Sequence, residues 1–241
     1  MIKLETHCHV RGSSACADAD IQILLDKYIT AGYKAILVTN HFSVGCYDKF
    51  FVGNTHKEKV DYFFKVYDDF SKLCKEKGIK TFWGAEIRVK DERCSLGTEY
   101  MVVGLPRSAY YSEPPLFELG QKELFELAEK HGAFMYQTHP FRVGVYAGDP
   151  KYLHGAEYFN GHFHHDNHNE CAEKFVTENN LIGLSGTDFH HGNQPITAGI
   201  YLPEEISDEK SYVKFLFENN FKIVQDKETY LYELKKCKGL I

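Results

Sequence analysis

A chain of 241 residues suits one α/β domain better than two small ones, and 43% hydrophobic with 26% charged residues is ordinary for a globular protein. Its apolar runs are strand-sized, and Met1-Ile2-Lys3-Leu4-Glu5 shows no basic stretch leading into an apolar core, so neither a transmembrane helix nor a signal peptide is expected and the expected location is cytoplasmic. A net charge of −6 argues against stable nucleic-acid binding but not against a small anionic substrate, because bound metal ions can invert the local field.

Residues 2–7 read as a first strand. Asp20 is placed to cap a helix carrying Ile21, Leu24, Leu25, Tyr28 and Ile29, closed by Gly32. The β-branched run 35–39 reads as a buried strand. A long helix over 55–77 ends at Gly78, and strands are expected at 79–89 and 100–103. A helix over 121–130 precedes Gly132, followed by strands at 133–138 and 156–159. The rest reads as helix 169–179, strands 181–185 and 198–202, helix 211–218 and a last strand 221–224. Such alternation predicts parallel strands with helical crossovers, hence a closed or nearly closed barrel, with a doubly wound open sheet as the alternative. No glycine-rich phosphate loop follows the first strand, which weakens a nucleotide-binding version.

The chain has 13 histidines, and the ends of the expected strands collect many of them. The first strand ends in His7-Cys8-His9 and the second in Asn40-His41; the third carries Gly84-Ala85-Glu86, and later ones end in Thr138-His139-Pro140 and Thr187-Asp188-Phe189-His190. In a barrel the C-terminal strand ends share one face, where catalytic groups gather. Residues two apart on a strand point the same way, so His7 with His9, and Asp188 with His190, are placed to grip one ion together. Imidazole and carboxylate suit zinc, manganese or iron. Each piece alone has a plain structural reading: a chance His-x-His, a salt-bridging Glu86, a turn at His139-Pro140, an Asp188 that caps a loop. Their arrival together, in order, at successive strand ends is hard to explain by packing alone, because independent accidents would have to coincide. The seven cysteines form no CxxC pair and read as free thiols.

The ordered set His7-x-His9, Asn40-His41, Gly84-x-Glu86, His139-Pro140, Glu157 to Asn160 and Asp188-x-His190 resembles the PHP (polymerase and histidinol phosphatase) superfamily, over about residues 1 to 200. The resemblance implies a single domain over 1–241 with a distorted seven-stranded (β/α) barrel, TIM-like, holding two to three divalent ions. It also implies phosphoesterase activity. Carried over by position, His7, His9, Glu86 and Asp188 would hold a first ion, Glu86 would bridge to a second bound also by His139, and His41 and His190 would hold a third. The third ion needs another ligand from the loop after His9. That loop departs from the family pattern, and Asp18 or Cys16 are the candidates, Asp18 favoured as a hard carboxylate. Asn40 stands where the family commonly has aspartate. For the second ion a further ligand is sought between Glu86 and His139, where His131 and Glu99 are candidates.

The histidine-rich stretch 161–168 is expected to be a surface or substrate-facing loop. Arg11 and Arg142 are the expected anion grips, ahead of Arg88 and Lys90, because guanidinium matches phosphate geometry. Phe141, Tyr146 and Phe159 are placed to line the pocket or to pack in the core. The expected function is hydrolysis of a small phosphomonoester or nucleotide-type phosphoester by a hydroxide bridging two ions, with Glu86, Asp188, His190, Arg142 and Arg11 carrying the chemistry. The rival readings are a metal-dependent amidohydrolase acting on a C–N bond and a metal-binding regulatory domain without turnover.

Overall fold

The structure, a computed structural model, describes residues 1–14 and 16–241, the side chains of Ser95 and Leu96 excepted. Its centre is one curved sheet that nearly closes into a barrel. Strands β1 (Ile2–Cys8), β2 (Tyr33–Val38) and β4 (Lys80–Asp91) run parallel, and the short β3 (His41–Phe42) continues the pairing onto β4. From β4 the order passes to β5 (Cys94–Val103), β6 (Phe134–Gln137), β7 (Gly155–Asn160) and β8 (Ile182–Gly186). On the other side of β1 lie β9 (Ala198–Leu202) and β10 (Ile223–Gln225). Closure comes where β1 meets the segment after β8. Cys8 bridges to Phe189, Thr6 Oγ1 donates to the Ser185 carbonyl at 2.6 Å, and Thr187 N donates to Glu5 Oε1 at 2.9 Å.

The sequence reading of uniformly parallel strands needs amendment. β5 and β9 run against their neighbours. β4 is longer than expected and turns straight back into β5 within Asp91–Cys94, and such a tight hairpin can only join antiparallel strands. Elements not foreseen include the short β3, helix α2 (Val44–Lys49) and the C-terminal helix α7 (Lys227–Cys237).

The outer helices form as the pattern implies. Asp20 caps α1 (Ile21–Thr30), accepting from Gln22 N and Ile23 N. Thr55 and Glu58 form a reciprocal capping box at the start of α3 (His56–Glu76). Helix α4 (Gln121–His131) ends at Gly132, whose φ of +65° suits a residue without Cβ. α5 (Asn169–Glu178) and α6 (Glu209–Glu218) complete the ring. Ile36, Val38, Phe63, Phe70 and Trp83 pack between the sheet and helices α1 and α3. Leu4, Leu37, Phe82, Met101, Phe134 and Leu184 fill the opposite face, with Tyr212 and Leu216 of α6. Among the described residues no helix is long and apolar enough to cross a membrane.

Candidate metal centre

β1 has one residue more than β2 between the pairings Glu5↔Ile36 and Cys8↔Val38. That bulge re-aims the strand, as bulges near active sites do. Leu4 packs in the inner core, and His7, three residues on, still faces the barrel interior. Glu157, on β7, accepts from His7 Nδ1 at 2.7 Å and from the His139 backbone N–H at 2.7 Å. A carboxylate only accepts, so the proton sits on Nδ1 and a neutral His7 presents a lone pair at Nε2.

That lone pair faces three other electron-rich atoms. His9 Nε2 is 2.9 Å away, Asp188 Oδ1 3.3 Å and Glu86 Oε1 3.4 Å. His9 Nε2 in turn lies 3.4 Å from Asp188 Oδ1 and 3.5 Å from Glu86 Oε2. All four side chains are buried. Four such atoms converging on one point require a cation among them, either protons or a metal ion. Ligand atoms of a tetrahedral zinc-type ion, with bonds of about 2.0–2.1 Å, stand roughly 3.4 Å apart. In the protein alone protons take this role: burial disfavours a charged His7, yet Asp188, Glu157 and Glu86 lift its pKa well above the ordinary histidine value. His9 goes the other way, held neutral by burial and by His190 and His41 beside it.

Glu86 faces two further imidazoles. Oε1 is 3.2 Å from His139 Nε2, and Oε2 is 2.7 Å from His41 Nδ1 without hydrogen-bond alignment. Burial would raise the Glu86 pKa, but His7, His41 and His139 hold it well below the usual carboxylate range. Glu99 joins this group from β5, where it pairs across the hairpin with Arg88 and so shares the face of Glu86. Its oxygens lie 3.3 Å from His41 Nδ1 and 3.5 Å from His139 Nε2. Two buried atoms that face each other here have no hydrogen-bond partner, Glu86 Oε2 and His41 Nδ1. Each would cost about 1–3 kcal/mol if left so, and ion coordination would remove part of that cost. The donor set therefore fits divalent ions.

A third grouping is built on His41 and His190, whose Nε2 atoms stand 3.4 Å apart. Here the structure departs from the favoured sequence expectation. The Asp18 carboxylate is exposed and lies 2.8 Å from His191 Nδ1. Asp18 N and Ala19 N both donate to the His190 carbonyl, and this turn carries the Asp18 side chain outward. Cys16, exposed and within 3.1 Å of Ser14 Oγ, lines the same cleft as His41 and His190. Those two imidazoles bring the pKa of its thiol down to about 5.

A model of the PHP domain matches residues 5–233 of this chain. The chain belongs to the PHP domain family. No curated protein matches it. Among solved structures it is similar to a two-domain protein from Bacteroides vulgatus containing a predicted PHP-like metal-dependent phosphoesterase, at 18% identity and TM-score 0.64 over 98% of this chain and 69% of that one. An amidohydrolase from Chromobacterium violaceum is similar at 12% identity and TM-score 0.54, over 92% of this chain and 98% of that one. The lesion-specific endonuclease of Pyrococcus furiosus is similar at 12% identity and TM-score 0.56, over 92% of this chain and 57% of that one. At such identities the likeness speaks for the fold alone.

In this PHP domain two of the candidate ligand positions are reached through strained backbone, not through strand alternation. β8 ends at Gly186, and Asp188 follows at φ +54°; His139 has φ +31°. Asp188 and His190 thus meet by a turn, with His190 Nδ1 3.2 Å from Asp188 Oδ1. Burial would raise the Asp188 pKa, but His7, Arg142 and His190 hold it well below the usual range. Arg142 reaches Asp188 Oδ2 at 2.5 Å, and its remaining bonds go to Asn167 Oδ1 and Asn160 Oδ1. It lines a cleft of about 210 Å³ with Cys16, His41, Arg88, Glu99 and His139.

Arg11 is exposed near Asp18, outside that cleft. Lys90 pairs with Glu118, Tyr146 is exposed, and Phe159 packs against Tyr230. Of the two candidates for the second grouping, Glu99 reaches it. His131 lies at the end of α4, lining a separate cavity with Gly104 and Phe217. Glu157 and Thr138 had no assigned role from sequence. Glu157 orients His7 and His139, and Thr138 Oγ1 donates to Glu86 Oε1 at 2.7 Å. The signal for Glu157 was its place on a strand of the ligand-bearing series.

Proposed function

We propose that this PHP domain is a metal-dependent phosphoesterase, acting on a small phosphomonoester or nucleotide-type phosphoester with two to three divalent ions of zinc, manganese or iron. The observation that carries the reading is the convergence of His7 Nε2, His9 Nε2, Asp188 Oδ1 and Glu86, at spacings of 2.9–3.5 Å, beneath a cleft that also holds two guanidinium groups. His7, His9, Glu86 and Asp188 would hold one ion. Glu86, His139 and Glu99 would hold a second, and His41, His190 and Cys16 a third. When bound, such ions supply Lewis acidity and a water that loses its proton near neutral pH.

The protein's own groups do the rest. Glu157 keeps the His7 proton on Nδ1 and so keeps Nε2 available. Arg142 spends Nε and Nη2 on Asn167, Asn160 and Asp188, while Nη1 has no protein partner among the described residues. A donor so placed is suited to a phosphoryl oxygen, where charge is spread over the transferring group. Arg88, tied to Glu99 at 2.6 Å, adds a second positive charge to the cleft. The cleft is smaller than the roughly 300–1,000 Å³ of drug-sized pockets, which favours one phosphoryl group inside with its ester substituent outside.

The test is a panel of phosphomonoesters, nucleotides and amides, each assayed with zinc, manganese and iron. Phosphoester turnover is expected, with Arg142→Gln lowering kcat/KM about 10–100-fold, the worth of one charge-assisted hydrogen bond. Turnover of amides alone would replace this reading with the amidohydrolase one, and no turnover with any metal would leave a binding domain.

A further inference from the structure

A second cluster of histidines stands at the lip of the cleft, and nothing in the centre described above uses it. The loop after β7 runs through Gly161-His162-Phe163-His164-His165-Asp166-Asn167-His168. It is held from several sides. Asn167 Nδ2 donates to the carbonyls of Asn160 and His162, and Tyr230 of α7 accepts from Asn167 N and donates to the His165 carbonyl. Phe163 packs into a small core with Phe159, Tyr230 and Leu234. Lys238 ties Asp166 at 2.7 Å. A loop anchored in this way presents its polar side chains in fixed places.

His162 and His164 line the cleft together with His191, which follows directly on His190. Their rings are 5.3 Å (162–164) and 5.2 Å (164–191) apart. One nitrogen from each of the three lies within 4.8 Å of the other two. His162 is buried, and its Nδ1 has no hydrogen-bond partner. His191 Nδ1 faces the Asp18 carboxylate at 2.8 Å, which keeps the proton there and leaves Nε2 free. A carboxylate on the far nitrogen of an imidazole is the usual support of a metal-binding histidine.

We propose that His162, His164 and His191, with Asp18 supporting His191, form an additional binding site for a zinc-type divalent ion at the mouth of the cleft. Three imidazoles match a tetrahedral ion that keeps its fourth position for water or an anionic oxygen. Closing the set from 4.8 Å to the roughly 3.4 Å of such an ion requires a side-chain adjustment, and His164, at the surface, is free to make it. This gives Asp18 a role the sequence could not assign. The inference does not rest on phosphoester turnover: a chain that hydrolysed nothing would still bind this ion.

The experiment is calorimetric titration of the chelator-stripped protein with Zn²⁺ alone, with ion counts by elemental analysis. His164→Ala is expected to remove one ion while the inner steps persist. Asp18→Asn is expected to keep that ion but weaken its step about 10–100-fold. Glu86→Gln is expected to disturb the inner ions and leave the outer step in place. Isotherms of His164→Ala and Asp18→Asn that superimpose on the unaltered protein would overturn the proposal. So would a Glu86→Gln protein that binds no Zn²⁺ at all. His164 is exposed and its ring rests on Phe163, so Asp18→Asn, which alters no packed side chain, keeps the proposal testable should His164→Ala disturb the loop.

Discussion

At the scale of single residues, the side chain after His9 that would complete the third grouping would set which metal it prefers. A carboxylate there would favour harder ions, and a thiolate favours zinc. The Cys16 thiol, in the cleft with His41 and His190 and brought down to about 5 by them, is disposed to bind as thiolate. Cys16→Ser is therefore expected to weaken one ion and shift the metal preference away from zinc, measured by competition between zinc and manganese. Asp18→Ala should leave that preference unchanged. The reverse pattern would return the role to Asp18. Glu157 illustrates a different lesson: it touches no shared point itself, yet it sets the tautomer of His7 and holds the His139 backbone in place.

At the scale of elements, the ends of β1 and β8 are pressed together, and the fit depends on a missing side chain. A Cβ at Gly186 would collide with the Cβ of His7 and stand 3.0 Å from Glu157 Oε1. Gly186→Ala is expected to destabilise the fold by about 1–3 kcal/mol, the usual range for overpacking, and to weaken metal binding by displacing His7. Urea unfolding paired with a Zn²⁺ titration measures both. An unchanged midpoint together with unchanged affinity would show that the strand ends yield freely. The β4–β5 hairpin is the other decisive element. By running β5 back along β4 it sets Glu99 beside Arg88 and within reach of His41 and His139.

For the molecule as a whole, the metal centre concentrates buried charge where the barrel closes. Glu86, Glu157 and Asp188 are all buried there, among His7, His9, His139 and His190. Ions that bind only the folded form stabilise it by mass action, about 2.7 kcal/mol at a hundred times Kd. For a chain of this size that corresponds to a Tm shift of roughly 5–10 °C. Chelation is expected to lower Tm by that order, re-addition of Zn²⁺ or Mn²⁺ to restore it, and Glu86→Gln to abolish most of the response. A Tm indifferent to chelator in the metal-loaded protein would argue that the buried carboxylates are balanced by protons alone.

The local pattern was enough to read the βα alternation, the capping of α1 by Asp20, and the arrival of histidines and carboxylates at strand ends, because periodicity and capping are written in neighbouring residues. It was not enough for β5, β9 or the bulge in β1, since strand direction and register come from pairings between distant segments. The same limit applies to the loop after His9. Both Cys16 and Asp18 lay within reach of a ligand position; the folded chain puts Cys16 in the lining of the cleft and, through the backbone bonds of Asp18 and Ala19 to the His190 carbonyl, sets the Asp18 carboxylate against His191. Glu99 and the outer histidines were visible as letters. What they face was decided by a hairpin and by α7 packing on the loop 161–168, contacts that exist only once the chain has closed on itself.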